Sequence, residues 1–146
     1  MAQAPRSLPP NRIGVAVPPF VAVPHDSSAL PAAANAAAVL RGLIRDDPSL
    51  HLVTRYDSAA NLRALEAGQK EARSGHLVAA RYLILGAAAR SADGRLRLDL
   101  RLVFAETGQL LGRDSATALD QHSLGIAAAD AGRTLLQTVH QREQRP

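Results

Sequence analysis

Residues 82–103, YLILGAAARSADGRLRLDLRLV, indicate a β-hairpin, and this stretch decides the fold. Tyr82–Arg90 is a run of apolar residues of strand length. Asp93-Gly94 predicts a two-residue type I′ turn, because glycine readily adopts the positive φ that this turn requires. From Arg95 to Val103 the chain alternates strictly, with four leucines on one side (Leu96, Leu98, Leu100, Leu102) and four charged residues on the other (Arg95, Arg97, Asp99, Arg101). Alternation of this kind predicts a strand with one buried face and one solvated, arginine-rich face.

Three further strands are expected around this hairpin. Ala105–Gly108, AETG, predicts a second turn, and Gln109–Ala118 then adds a third strand to the meander. Upstream, Ile13–Val17 and Leu50–Thr54 are short apolar runs typical of buried strands, and 20–23 continues the first of them irregularly.

Helices are predicted between and after these strands. The loop 25–28, HDSS, supplies Asp and Ser as N-caps for a helix over Ala29–Arg45. A second helix follows Ser58 and ends near Gly75. A third covers Gln121–Gln141, with Asp120 as its N-cap.

The segment order β-α-β-α-β-β-β-α predicts a single α/β domain with a mixed five-stranded sheet. Strands separated by helices are expected to be parallel with right-handed crossovers, and strands joined by tight turns to be antiparallel. We assign residues 1–12 to a flexible lead-in, 13–141 to the domain, and 142–146 to a frayed C-terminus.

The composition excludes several classes of protein. The 146 residues suit one domain and include no cysteine, which excludes disulfide scaffolds, thiol catalysis and Cys-ligated metal centres. No apolar run approaches the roughly 20 residues that span a bilayer. The N-terminus has no hydrophobic signal-peptide core. We therefore expect either a cytoplasmic protein or an exported one whose signal or lipid anchor is not part of this sequence.

No catalytic or metal-binding pattern is evident. The five histidines lack the spacing of metal ligands: His25, His51, His76, His122, His140. No GxSxG motif supports a nucleophilic serine, and no glycine-rich loop supports a phosphate site. Asp46 and Asp47 precede Pro48, where a solvated helix end is a simpler interpretation than a pair of catalytic carboxylates.

The arginine stripe Arg95, Arg97 and Arg101 is the one distinctive surface feature. Alternate arginines on a strand lie roughly 7 Å apart, close to the spacing of nucleic-acid phosphates. However, the sequence interleaves no aromatic residues, which single-strand binders use for base stacking. We therefore expect a solvated face or one covered by a protein partner, with nucleic-acid binding as the alternative.

Three local patterns, together with the segment order, resemble the N-terminal domain of TolB and related bacterial envelope proteins, including CsgG, LpoB and PelC. The patterns are the strand Ile13–Phe20, IGVAVPPF; the strand Ala80–Gly86, ARYLILG; and the hairpin with its following turn, Asp93–Gly108. They comprise core and turn residues, so the resemblance covers about Arg12 to Val139 and concerns the fold first.

The resemblance implies a non-enzymatic interaction module on the periplasmic side of the envelope. Members of this group are often associated with the outer membrane and serve secretion, polysaccharide export or cell-wall assembly; some form rings and others act as monomers. The same domain shape also occurs in cytoplasmic signalling proteins.

Our leading hypothesis is therefore an envelope binding module. Its expected partners are other envelope proteins or further copies of itself, with no cofactor and no nucleic acid, and with membrane association only through an N-terminal lipid anchor. Arg95, Arg97 and Arg101 are its expected partner-binding residues. The alternatives are a cytoplasmic sensory or regulatory domain and, less favoured, a nucleic-acid-binding domain.

Overall fold

The computed structural model describes residues 13–22, 27–53 and 80–144. The predicted lead-in, the second predicted helix, residues 25 and 26 of the loop 25–28, and the last two residues of the chain lie outside these ranges. The elements, in chain order, are β1 (Ile13–Ala16), β2 (Val21–Ala22), a 3₁₀ turn (Ser27–Ala29), α1 (Leu30–Asp46), β3 (Leu50–Val53), β4 (Tyr82–Arg90), β5 (Leu96–Phe104), β6 (Gln109–Ala118) and α2 (Gln121–Glu143).

The strands form one mixed sheet in the order β3-β1-β4-β5-β6, with β2 also paired to β4. The predicted directions are confirmed: β1 is parallel to β3 and β4, and β4, β5 and β6 form an antiparallel meander. Within the described residues the sheet has six strands rather than five. The additional strand, β2, has only two residues, too few for a periodic pattern to distinguish it from irregular chain.

Two short strands, β1 and β2, pair with successive parts of β4. Pro18 and Pro19 have no backbone N–H and interrupt the ladder after β1, and β2 then resumes pairing alongside Ala87 and Ala88 of β4. Arg41 of α1 stabilises the chain between β1 and β2 by donating two hydrogen bonds, of 3.2 and 3.0 Å, to the carbonyl of Val17.

Helices α1 and α2 lie side by side on one face of the sheet and enclose the main core. The buried leucines of β5 face this core, and so do the apolar stripes of the two helices: Ala33, Ala36, Ala37, Leu40 and Ile44 of α1, and Leu124, Ala128, Ala131, Leu135 and Val139 of α2. Gly132 allows the helices to approach closely, because a Cβ at this position would overlap a δ-methyl group of Leu40. A smaller buried cluster occupies the opposite face of the sheet and includes Leu83, Leu85 and Val103.

The two helices begin differently from one another. The prediction that Asp or Ser caps α1 is wrong: Ala29 stands at the N-cap and makes no side-chain hydrogen bond, since a 3₁₀ turn leads directly into the helix. The prediction for α2 is confirmed, because Asp120 accepts a hydrogen bond of 2.8 Å from the backbone N–H of Ser123. This bond lowers the pKa of Asp120.

The end of α2 is fixed to the sheet. The helix continues to Glu143, two residues beyond the predicted end and into the segment expected to fray. Glu143 accepts hydrogen bonds from Arg81 at 2.7 Å and from the hydroxyl of Tyr82 at 2.5 Å. Burial acts to raise the pKa of Glu143, but these two hydrogen bonds outweigh it and hold the pKa below its usual value. The guanidinium of Arg142 also lies over the Phe104 ring, 5.2 Å from its centroid.

Candidate functional site: the outer face of β5 and β6

The predicted alternation of β5 is confirmed. Leu96, Leu98, Leu100 and Leu102 are at most 2% exposed and face the helices. Arg97, Asp99 and Arg101 therefore lie on the other face, which we call the outer face. Arg97 and Asp99 are largely exposed there, with side chains 56% and 46% accessible, and Arg101 is half-buried.

Arg95 immediately precedes β5 and closes the hairpin loop, and its guanidinium is 3.4 Å from the carboxylate of Asp93. The loop is also one residue longer than the predicted two-residue turn, because the N–H of Ser91 donates to the carbonyl of Arg95 and encloses three residues between them. Gly94, with φ of 86°, takes the left-handed position that closes this longer loop.

The turn residue Asp93 holds the loop together. Its carboxylate accepts hydrogen bonds from the hydroxyl of Ser91 and, at 3.1 Å, from the backbone N–H of Arg95. These bonds, with that from Ser91 the stronger, lower the pKa of Asp93. Arg95 is thus held at the end of the turn, and two of the three predicted arginines, Arg97 and Arg101, lie within β5 itself.

The register between β5 and β6 adds residues to the outer face that the stripe did not include. Arg113 lies directly opposite Arg101, Ser115 opposite Asp99, and Thr117 opposite Arg97. A hollow of about 340 Å³ lies at this face and is lined by Arg97, Asp99, Arg113, Asp114 and Ser115. The strand register is what assigns Arg113 to the outer face. A bulge at Leu102/Val103 shifts this register by one residue, so alternation within β6 alone does not identify Arg113 as an outer-face residue.

Some charged side chains of this face have a partner of opposite charge within the described residues, and others do not. Arg97 and Asp99 form an ion pair at 3.1 Å, and the hydrogen bond to Asp99, followed by its charge, raises the pKa of Arg97. Asp114 accepts a hydrogen bond of 2.8 Å from the backbone N–H of Ser115. Arg113 forms no ion pair or side-chain hydrogen bond with residues in the described ranges. The outer face therefore presents an exposed arginine that has no ion-pair partner among the residues described.

A second hollow, of about 420 Å³, lies between the C-terminal ends of α1 and α2. It is lined by Leu43, Asp46, Asp47, Pro48, Arg133, Leu136, Gln137 and His140. Asp47 is not the solvated helix end expected from the sequence, since its carboxylate accepts hydrogen bonds from Ser49 and lies 2.8 Å from His140 Nε2. Burial acts to raise the pKa of Asp47, but the hydrogen bonds from Ser49 and His140 outweigh it and lower the pKa. This pair joins the ends of the two helices.

Among the described residues, neither hollow has side chains arranged to hold a metal ion. Within residues 13–22, 27–53 and 80–144, no three His, Cys, Asp or Glu side chains come together in a group that could hold a metal ion. No helix in these ranges is both long enough and apolar enough to cross a membrane.

Comparison with known proteins identifies the fold. No protein-family model matches the chain, and no curated protein sequence matches it. A hypothetical protein from Chlamydia trachomatis is similar in structure with a TM-score of 0.60 at 13% identity, covering 88% of this chain and 95% of that one. A protein from Xanthomonas campestris has a TM-score of 0.51 at 11% identity, covering 91% and 88%.

The LpoB C-terminal domain from Escherichia coli is similar as well, with a TM-score of 0.50 at 16% identity, covering 73% of this chain and 82% of that one. LpoB is among the proteins whose domain the sequence patterns resemble. The resemblance is therefore confirmed at the level of the fold, which the chain shares with the LpoB C-terminal domain.

Proposed function

We propose that this chain is a non-enzymatic protein–protein interaction module of the bacterial cell envelope. The observation that carries the proposal is the outer face of β5 and β6, where polar and charged side chains stand exposed on a rigid antiparallel ladder. Arginine is enriched in protein interfaces, and a sheet fixes the spacing of its side chains better than a loop does.

The fold supports the envelope as the place of action. The chain has the shape of the LpoB C-terminal domain, and the sequence resemblance is to proteins of envelope assembly. We propose a periplasmic location associated with the outer membrane, through a lipid anchor or a bound partner, and a role in secretion, polysaccharide export or cell-wall assembly.

Cell fractionation tests the location. The full gene product, carrying a C-terminal tag, is followed through separation of cytosol, periplasm and membranes, and its protease sensitivity is compared in intact cells and spheroplasts. We expect recovery with the periplasm or outer membrane and digestion only after the outer membrane is opened. Recovery in the cytosol would contradict the proposal and favour a cytoplasmic regulatory domain.

Self-association is tested separately by light scattering on a sizing column at physiological salt. A large, defined multiple of the 15.4 kDa chain mass would indicate a ring and an export or secretion assembly. A monomer would favour an adaptor or activator that binds another envelope protein.

A further inference from the structure

We propose that the outer face of β5 and β6 binds a short acidic protein segment, with one carboxylate of that segment seated at Arg113 beside Arg101. The inference rests on the proposed function of an interaction module and adds the chemistry of the partner.

The cross-strand register places two arginines of equal charge together. Arg101 and Arg113 are directly opposed in the antiparallel ladder, so their Cα atoms are about 4.5–5.5 Å apart and their side chains leave the same face. Like charges directly opposite destabilise a sheet. Arg101 already interacts within the chain, so Arg113 is the arginine that offers its guanidinium to a partner.

The surroundings of Arg113 favour a carboxylate. The acidic groups lining the hollow are engaged: Asp99 with Arg97 at 3.1 Å, and Asp114 with the backbone N–H of Ser115 at 2.8 Å. The planar guanidinium fork of arginine matches the two oxygens of a carboxylate, and the hydroxyl of Ser115 beside it is an additional donor. Counting Arg97, Arg101 and Arg113 against Asp99 and Asp114, the face and its hollow carry a net charge of +1.

The same side chains disfavour a nucleic-acid strand or a second copy of this chain as the bound partner. A nucleic-acid strand would bring its phosphates against Asp99 and Asp114, and the outer-face positions of β5 and β6 from residue 97 to 101 and from 113 to 117 include no aromatic side chain for base stacking. A second copy placed face to face would oppose one net positive surface to another. An acidic protein segment meets neither obstacle.

The test is a titration of the ¹⁵N-labelled full chain followed by amide chemical shifts, at pH 7 and about 20 mM salt, where screening is weak. The probe is a capped octapeptide of alternating Glu and Ser, since alternate side chains of an extended segment recur at the spacing of the ladder. The same peptide with Gln in place of Glu, and an octamer of thymidylate, are the comparison ligands.

Arg113→Gln is the test variant, and Arg133→Gln is its matched control. Arg133 is also an exposed arginine, paired with Asp130 at 2.9 Å on α2, so its loss changes the net charge equally on a different surface. Arg113→Lys keeps the charge and checks that the position tolerates substitution. The circular dichroism spectrum of each variant establishes that it folds.

We expect the acidic peptide to shift amides of β5 and β6, and Arg113→Gln to weaken its affinity about threefold or more, the scale of one exposed ion pair. Arg133→Gln should leave the affinity unchanged. Three results would each overturn the inference: shifts confined to other elements or absent, equal loss in both Gln variants, or tighter binding of the thymidylate or Gln peptide. Cell fractionation is independent of Arg113, so failure of this inference is distinguishable from failure of the proposed function.

Discussion

The contact between α1 and α2 at Gly132 leads to a quantitative prediction about stability. A Cβ added to Gly132 would overlap Leu40 and lie 3.1 Å from Leu43 Cδ1, whereas ordinary carbon contacts are about 3.5–4.0 Å. Leu40 is fully buried and has little room to move away. We expect the overlap to cost about 2 kcal/mol, within the range measured for overpacked cores.

Gly42 of α1 is the matched control, since a Cβ there meets nothing within 4 Å. Gly132→Ala and Gly42→Ala gain the same helix propensity, about 1 kcal/mol, so their difference isolates the overlap. Gly42→Ala should stabilise the protein by up to that amount, and Gly132→Ala should destabilise it by about 1 kcal/mol. For a domain of this size the two melting temperatures should differ by about 4–8 °C.

Urea unfolding followed by circular dichroism at 222 nm measures both free energies of unfolding. The double variant Gly132→Ala/Leu40→Ala supplies the second test, because removal of the overlapping methyl groups should abolish the penalty of the alanine. If Gly132→Ala is as stable as Gly42→Ala, or if the penalty persists without the Leu40 side chain, the reasoning about the helix contact is refuted.

Three further predictions concern other parts of the molecule. Asp47→Asn removes the carboxylate that accepts hydrogen bonds from Ser49 and contacts His140, and it should cost about 1 kcal/mol at pH 7. Because the folded pKa of Asp47 lies below its unfolded value of about 3.9, this contribution is lost as the pH falls through the folded pKa. Urea titrations in acid should therefore show the stabilities of wild type and variant converging. Gly86→Ala places a Cβ 2.7 Å from the Phe20 ring and should lower the free energy of unfolding by about 1–3 kcal/mol, with a smaller loss in a Phe20→Leu background; an equal loss in both would exclude the ring as the cause. Arg113→Glu puts opposite charges across the β5–β6 ladder and should raise the melting temperature at low salt while abolishing binding of the acidic peptide; no change in stability would show that the like-charge pair carries no cost.

The parts of the fold that sequence could predict are those specified by neighbouring residues. The leucine alternation of β5 correctly places Leu96, Leu98, Leu100 and Leu102 in the core, because a period of two leaves only two faces. The bounds of β4 and β6 also agree with the prediction. In contrast, β2 depends on a strand distant in the sequence and has no periodicity of its own.

The candidate site was only partly predictable for the same reason. Arg97 and Arg101 follow from alternation, but Arg113 joins them through a register that a bulge alters. Arg95 lies one residue before β5 and contacts Asp93 of the turn, which alternation along the strand does not reveal. The junction of Asp47 with His140 requires two parallel helices to end at the same level, which no local pattern encodes.

The pairing of β1 with β4, and of α1 with α2, has a consequence for how the chain is made. During synthesis β1 and α1 leave the ribosome long before β4 and α2, the elements that bury them. The first third of the chain can form the β1–β3 ladder early, but its core stays incomplete until β4 and then the C-terminal helix have emerged. The β4–β6 meander is joined by short turns and can form early, so it is the natural nucleus on which the N-terminal elements later assemble.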